Sequence, residues 1–490
     1  MITFRKQNDV HLSFDGPKDE LRMLSDYFTF EVEGAKFSPA YRNKFWDGKI
    51  RLANLREMNI PYGLWKDIIK FSKQLDIEVE FEGNRFDFPG RELPVDEKML
   101  DGFIDALDLR SKGNKIQPYD YQREAFIKAL TMQRCLLLSP TASGKSLIIY
   151  LLTRWWREVH NRKILIVVPT VGLVTQMTKD FHDYSDGKFT DIHGISSGIT
   201  KDTDKRVVIS TWQSIWKQPA SWFAQFGSVV VDEVHTAQAK SIQTIMHKMY
   251  VCPDRVGLTG TLKDAKTHEL VLKGHFGPIE KTISTKQLID DDKVSKLNIR
   301  LLQLRYNKVD CRTCKDLDYQ QEIQFLIDHE KRNNFVAKLA STLEGNTLVV
   351  FSRIEHGKDL YDRIQNLTDT KQVRYVAGET NREERDEVRE FTESNSTIIV
   401  ASLGVFSTGI NIRNLHNLIF AHPSKSKIKV LQSVGRVLRK STDGREATIY
   451  DLVDDLKHGQ RQNFALKHAA ERFKFYKDED FDYKITGVDL

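Results

Sequence analysis

The run Ser139-Pro140-Thr141-Ala142-Ser143-Gly144-Lys145-Ser146 has the make-up of a phosphate cradle: small residues that let the backbone turn sharply, then Gly-Lys-Ser. The apolar run Cys135–Leu138 before it reads as a buried strand, and Leu147 to Trp156 after it suits a helix. In a strand–loop–helix unit the loop N–H groups and the helix N-terminus point at an anion. Lys145 then reaches the terminal phosphates of a nucleotide, and the Ser146 hydroxyl holds Mg²⁺. Thr141 and Gly144 belong to the same cradle.

A second set of reactive side chains follows the apolar run Ser228–Val231. Asp232 is placed for the second Mg²⁺ contact, and Glu233, a carboxylate near the γ-phosphate, for taking the proton of the attacking water. His235 would relay that state. Thr259 and Thr261, which flank Gly260, bring hydroxyls suited to Asp232 or His235. Further upstream, Gln122 falls on the first turns of a helix begun after Pro118. Its carboxamide matches both the donor and the acceptor edge of adenine. ATP and Mg²⁺ are the cofactors these residues imply.

These groups need a frame. Lys163–Val168, Val207–Thr211, Ser228–Val231 and Val256–Thr259 are short apolar runs separated by helix-compatible segments, the pattern of a mostly parallel sheet. Ligands bind beyond the carboxyl ends of such strands, where the phosphate loop and Asp232-Glu233 both fall. From Asn346 the alternation begins again, through Val373–Val376, a helix over Glu383–Phe391, Thr397–Ala401 and Asn417–Ala421, without a second Gly-Lys-Ser. This half offers cations instead. Arg436 and Arg439 in Gln432–Arg439 are one helical turn apart, as arginine fingers require, and a basic helix facing solvent or nucleic acid is the alternative. Ser407–Asn411 is a polar loop after a strand, suited to sensing nucleotide and bound strand together.

Outside the two halves the signals are softer. The chain has 490 residues, enough for about three domains, and four Cys, which fits a reducing cytoplasm better than disulfide stapling. Its start is polar, and no apolar run approaches the ~18 residues of a membrane span. Residues 1–110 carry 17 Lys/Arg against 21 Asp/Glu, so the surplus behind the net charge of +6 lies in the remainder. Tyr41 to Leu52, with Asp47-Gly48 at its centre, reads as a hairpin presenting Arg42, Lys44 and Lys49 beside Trp46. That ribbon suits nucleic acid, or its aromatic side is simply core. Asp108–Lys115 reads as a linker. Residues 457–477 hold six Lys/Arg against Glu471 alone, on a helix that lies along a duplex or packs on the second half. The resulting division is a small α+β domain over 1–110, α/β domains over 111–295 and 296–455, and a basic helical extension over 456–490.

The ordered set Gln122, Ser139–Ser146, Pro169-Thr170, Asp232–His235, Thr259–Thr261, Ser407–Asn411 and Gln432–Arg439 resembles the superfamily 2 helicases of the DExH type. Three positions depart from common family patterns: Ser139 opens the phosphate loop, Val234 replaces Ala, and Asn411 stands where many relatives have Asp. The resemblance implies an α/β chain of two tandem RecA-like parallel-sheet domains that close on Mg–ATP. It also implies 3′-to-5′ tracking and remodelling of branched DNA, single strands and R-loops with their RNA–DNA hybrids. A monomer is the expected state. It makes Thr170, Thr211 and Thr408 contacts to the tracking strand and Arg436 and Arg439 the fingers. His235, Thr259, Thr261, Gly409, Asn411 and Gln432 become the coupling groups. At the level of these motifs, an RNA-directed DExH helicase and a duplex translocase that separates no strands stay open, as does an ATP-inert scaffold.

Overall fold

The computed structural model describes residues 1–32, 34–83, 95–196, 198–236, 239–262, 268–377, 396–404, 414–422 and 445–490. By internal contacts the chain divides into two compact units: residues 1–139 with 144–282, and residues 140–143 with 283–490.

The first unit opens with six short strands: β1 (Ile2–Lys6), β2 (His11–Asp15), β3 (Thr29–Glu31), β4 (Lys49–Arg51), β5 (Asn59–Pro61) and β6 (Val79–Glu82). Four of them form a mixed sheet in the order β5-β2-β1-β6, while β3 and β4 pair separately. Phe4, Leu12, Phe14 and Ile60 alternate inward and pack with Leu24, Ile68 and Phe71 of the two covering helices.

Tyr41–Leu52 does not form the hairpin that its Asp-Gly pair suggests. The Ser38 hydroxyl accepts the Tyr41 N–H at 3.2 Å and Pro39 opens a one-turn helix, Pro39–Arg42, so the first arm of the hairpin is helical. Lys49–Arg51 pairs instead with Thr29–Glu31. Arg42, Lys44 and Lys49 remain exposed there, Phe45 is 87% exposed, and Trp46 donates its indole N–H to the Lys49 carbonyl at 2.8 Å.

This layer docks on the sheet that follows it. A Cβ on Gly63 would fall 2.1 Å from the Lys273 carbonyl oxygen, so only glycine permits the approach of the two backbones. The buried Arg134 guanidinium reaches Asp9 at 3.4 Å and lies 4.3 Å from the Tyr62 ring centroid, and Lys273 pairs with Asp67 at 2.5 Å. The His11, His247 and His275 rings line the same contact, each 5.3 Å from the next.

Burial holds His11 down to about 4 and lowers His247 and His275, with Arg255 adding to both and Glu57 opposing at His11 and His247. An unfolded chain takes up these protons near the ordinary histidine value of about 6.5. The stability that neutral imidazoles confer is therefore complete above that pH and is lost as pH falls from 6.5 towards 4. Asp254 and Asp232, pushed up by burial to about 6 and about 7, act in the opposite sense but are outnumbered. The urea midpoint is expected to fall steadily between pH 7 and pH 5. A midpoint that rises over this range would show that the two raised carboxyls outweigh the lowered imidazoles.

The expected linker at Asp108–Lys115 is a ribbon, β7 (Arg110–Ser111) with β8 (Asn114–Lys115), turning on Lys112 and Gly113 at φ 51° and 78°. Positive φ at both turn residues is the geometry that closes a two-residue hairpin. Seven strands then form one parallel sheet: β9 (Arg134–Leu138), β10 (Lys163–Val168), β11 (Ile192–Ile195), β12 (Val207–Thr211), β13 (Phe226–Val231), β14 (Asp254–Thr259) and β15 (Ile279–Lys281). Their order is β11-β12-β10-β13-β14-β9-β15. Apolar residues fill both faces. Ile164, Ile166 and Val168 of β10 enter a core under the helices Asp120–Met132, Lys145–Val159 and Val171–Tyr184, and the intervening Leu165 and Val167 enter the opposite core.

The second unit holds β16 (Leu297–Arg305), β17 (Asn346–Phe351), β18 (Gln372–Val376), β19 (Thr397–Ser402), β20 (Leu415–Phe420), β21 (Ala447–Asp455) and β22 (Tyr483–Asp489). These too are parallel, in the order β18-β19-β17-β20-β21-β16-β22. Numbered within each sheet, both read third, fourth, second, fifth, sixth, first, seventh, the arrangement of two RecA-like lobes. Residues 456–490 thus supply a helix, Phe464–Asp478, and also the seventh strand of this sheet. The helix packs on it: Arg472 is buried against Asp451 at 2.6 Å while Lys467, Lys474 and Lys477 stay exposed. The Glu322 carboxylate caps its first turn, accepting the N–H groups of Phe464 and Ala465 at 2.8 and 2.7 Å. The long helix expected over Leu317–Leu343 breaks at His329, which ends Tyr319–Asp328 and caps Glu330–Thr342. The helix expected over Glu383–Phe391 lies outside the described residues. Among the described residues no helix is long and apolar enough to cross a membrane.

Candidate active site

Because the strands of the first sheet are parallel, their carboxyl ends share one edge. The neighbouring strands β12, β10, β13, β14 and β9 deliver Thr211, Thr170, Asp232, Thr259 and Ser139 to it. Backbone bonds hold the edge together: the Ser139 N–H donates to the Thr259 carbonyl at 2.9 Å and the Asp232 N–H to that of Val167 at 2.8 Å.

The phosphate loop closes on itself, the Ser143 N–H and hydroxyl both donating to the Pro140 carbonyl, at 3.2 and 2.7 Å. Ala142 and Gly144 take φ of 70° and 75°. Gly144 also lies under Gln122, whose Nε2 would sit 2.3 Å from an added Cβ, so a side chain is excluded by space as well as by backbone. The helix Lys145–Val159 starts immediately after it, with its N-terminal dipole towards the loop. Gln122 is buried, and its Oε1 accepts the Tyr119 N–H at 2.9 Å, closing the first turn of its own helix. Thr141 is a half-buried residue of the loop.

A continuous polar chain leads away from Lys145. Its Nζ lies 2.8 Å from Glu233 Oε1 and 3.4 Å from the Ser139 carbonyl. Glu233 Oε2 stands 3.3 Å from His235 Nδ1, which lies 2.6 Å from Thr259 Oγ1. The Thr259 hydroxyl donates to the Thr261 carbonyl at 2.8 Å, so it accepts from His235 and the imidazole proton sits on Nδ1. Glu233 has φ 47°, and its N–H donates to Asp232 Oδ1 at 2.9 Å. Burial works against charge on both acids. At Glu233 Lys145 and His235 outweigh it and the carboxyl stays below the usual range, whereas Asp232, beside that carboxylate, is pushed up to about 7. Glu233 is therefore the ionised partner and the one able to take a proton.

Thr170 caps the helix Val171–Tyr184 by accepting the Leu173 N–H at 3.4 Å. Thr211 is buried, its hydroxyl 2.9 Å from Ser214 Oγ. The fold thus brings together Gln122, Gly144, Lys145, Ser146, Asp232, Glu233, His235, Thr259 and Thr261, with Thr170 and Thr211 on the same edge, while Thr141 lies in the stretch between Ser139 and Gly144. Arg42, Lys44, Trp46 and Lys49 belong to the N-terminal layer, and Thr408, Gly409, Asn411, Gln432, Arg436 and Arg439 lie outside the described residues. Spacing gave no sign of Tyr184, whose hydroxyl meets Ser146 Oγ at 2.7 Å from 38 residues away.

The donor set fits Mg²⁺. Ser146 and Asp232 offer hard oxygens, and a site of one carboxylate and one hydroxyl leaves the remaining positions to phosphate oxygens and water. Among the described residues no group of three or more His, Cys, Asp or Glu could hold a metal by itself.

Two parallel lobes of one topology, the first carrying a phosphate loop, an Asp-Glu-Val-His strand end and a Thr-Gly-Thr turn on one edge, define a DExH-type, nucleotide-driven motor. Residues 2–82 match the family described as DNA helicase UvsW, N-terminal, residues 115–264 the type III restriction enzyme, res subunit, and residues 330–441 the helicase conserved C-terminal domain. The chain is 38% identical to the ATP-dependent DNA helicase uvsW of Enterobacteria phage T4 over 98% of both chains. The crystal structure of T4 UvsW superposes with a TM-score of 0.54, covering 100% of this chain and 99% of that one at 36% identity. The DNA 3'-5' translocase XPB2 of Sulfurisphaera tokodaii is 27% identical, covering 79% of this chain and 92% of that one. The chain belongs to the UvsW family of superfamily 2 DExH-type ATP-dependent DNA helicases.

Proposed function

We propose that the chain is a cytoplasmic, monomeric 3′-to-5′ motor that remodels branched DNA, by four-way-junction branch migration and fork regression, and unwinds R-loops. The observation that carries the reading is the chain Lys145–Glu233–His235–Thr259, which joins the phosphate loop to the Thr-Gly-Thr turn within one lobe.

In this reading Lys145 neutralises Glu233 until the nucleotide phosphates draw the ammonium to the helix N-terminus. Glu233 is then a free carboxylate at the γ-phosphate and accepts a proton from the attacking water. Ser146 and Asp232 would hold Mg²⁺, which would supply positive charge against the phosphates. His235 registers the change at Glu233 through Nδ1 and passes it to Thr259 and Thr261. Gln122 recognises adenine, and Arg436 and Arg439 supply positive charge to the departing phosphoryl group. Thr170, Thr211 and Thr408 follow the strand, and Gly409, Asn411 and Gln432 join it to hydrolysis. Arg42, Lys44, Trp46 and Lys49 contact the branch, the exposure of the three cations beside Phe45 supporting that role.

The match of residues 115–264 to a restriction-enzyme family favours a second reading, a duplex translocase that separates no strands. Matched fork, four-way-junction, R-loop and RNA-duplex substrates, assayed with Lys145→Ala as control, separate the two. ATP-dependent unwinding of the first three, lost in the variant, is expected. Duplex-stimulated ATPase without strand displacement would favour the second reading, and preferential unwinding of RNA duplex would overturn the first.

A further inference from the structure

Ser146 needs a second partner if its hydroxyl is to face a metal ion. A seryl oxygen carries one proton and two lone pairs, and giving a lone pair to Mg²⁺ makes the remaining proton more acidic and in need of an acceptor. The side chain also has three staggered rotamers, so the metal-facing one must be selected.

The structure supplies such a partner. Tyr184, the last residue of the helix Val171–Tyr184, places its phenol oxygen 2.7 Å from Ser146 Oγ. Its ring is held by Tyr150, with centroids 5.5 Å apart. Tyr150 is fully buried, packs on Phe181 at 5.1 Å, and accepts a hydrogen bond from Arg154 Nη1 at 2.7 Å. The phenol is thus presented to Ser146 by two packed helices and not by a loop.

We propose that Tyr184 is a positioning residue for Ser146, accepting a hydrogen bond from its hydroxyl and holding that hydroxyl in the rotamer that would meet Mg²⁺. This rests on the reading of Ser146 as a metal contact. Groups that orient a metal ligand typically contribute about 10- to 100-fold in metal affinity. Tyr184→Phe removes the acceptor and keeps the packed ring.

The test is binding of a fluorescent ADP to the full-length protein, with Mg²⁺ and with EDTA. In Tyr184→Phe the affinity in EDTA is expected to stay unchanged while the Mg²⁺-dependent gain falls about 10-fold or more. Ser146→Ala should lose at least as much, and the double variant no more than Ser146→Ala alone, since both act through one hydroxyl. An undiminished Mg²⁺ gain in Tyr184→Phe, with a loss in Ser146→Ala, overturns the role of Tyr184 alone. An equal loss with and without Mg²⁺ also overturns it, because that marks a packing effect. An undiminished gain in Ser146→Ala removes Ser146 from the metal.

Discussion

Glu233→Gln is expected to lower ATP turnover by about 10²–10⁴-fold, the range of a general base, while nucleotide binding persists. The amide keeps the shape of the side chain and cannot take the proton of water. It also breaks the 2.8 Å ion pair with Lys145, so the ammonium is free for phosphate before nucleotide arrives. Binding should therefore be unchanged or tighter, and fluorescent ADP titration beside steady-state turnover separates the two effects. Turnover within a few-fold of the unaltered protein would remove Glu233 from the chemistry. Weakened binding would show that its contact with Lys145 organises the loop.

Arg332→Ala is expected to cost about 3–5 kcal/mol of stability, a large share of the roughly 5–15 kcal/mol of a folded protein. Arg332 is fully buried on the helix Glu330–Thr342, its Nε and Nη2 lying 2.7 and 3.1 Å from the two oxygens of Asp454. Nη2 also donates to the Ala421 carbonyl at 2.7 Å, and the Tyr306 hydroxyl donates to Asp454 at 2.6 Å. One guanidinium thus ties residues next to the carboxyl ends of β16, β20 and β21 to a helix. Its removal leaves the Asp454 carboxylate in the core with Tyr306 as its remaining side-chain contact in this set. Urea unfolding checks the loss, and the paired change Arg332→Met with Asp454→Leu should recover much of it, because no buried charge is then left unpaired. A loss below about 1 kcal/mol in the single variant would place water or relaxation at the site.

The local geometry of the proposed site was legible because it depends on neighbouring residues. Gly-Lys-Ser after an apolar strand and before a helix already dictates the turn, the dipole and the cation, and Asp232-Glu233 follows its strand as directly. The parallel sheets were legible for a related reason: a strand covered on both faces has no polar alternation, so Lys163–Val168 and Thr397–Ala401 read as buried runs. Errors came where short-range signals compete. Asp47-Gly48 signals a turn whichever strand is used, and the Ser38–Pro39 cap decided that the arm before it is helical. Apolar and charged residues run through Leu317–Leu343 with no Gly or Pro, and the structure breaks the helix at His329, whose ring caps the following helix by accepting the Arg332 N–H at 3.2 Å.

By itself the amino-acid order determined where the Gly-Lys-Ser turn falls and which strand end carries the acid pair, since dihedral preference and hydrophobic period act over a few residues. The tertiary structure alone decided that Tyr184 meets Ser146, that Arg332 meets Asp454, and that residues 483–489 complete the second sheet. Those partners are 38, 122 and about 180 residues apart, and no local preference spans such a distance; the packing of helices on the two sheets sets it.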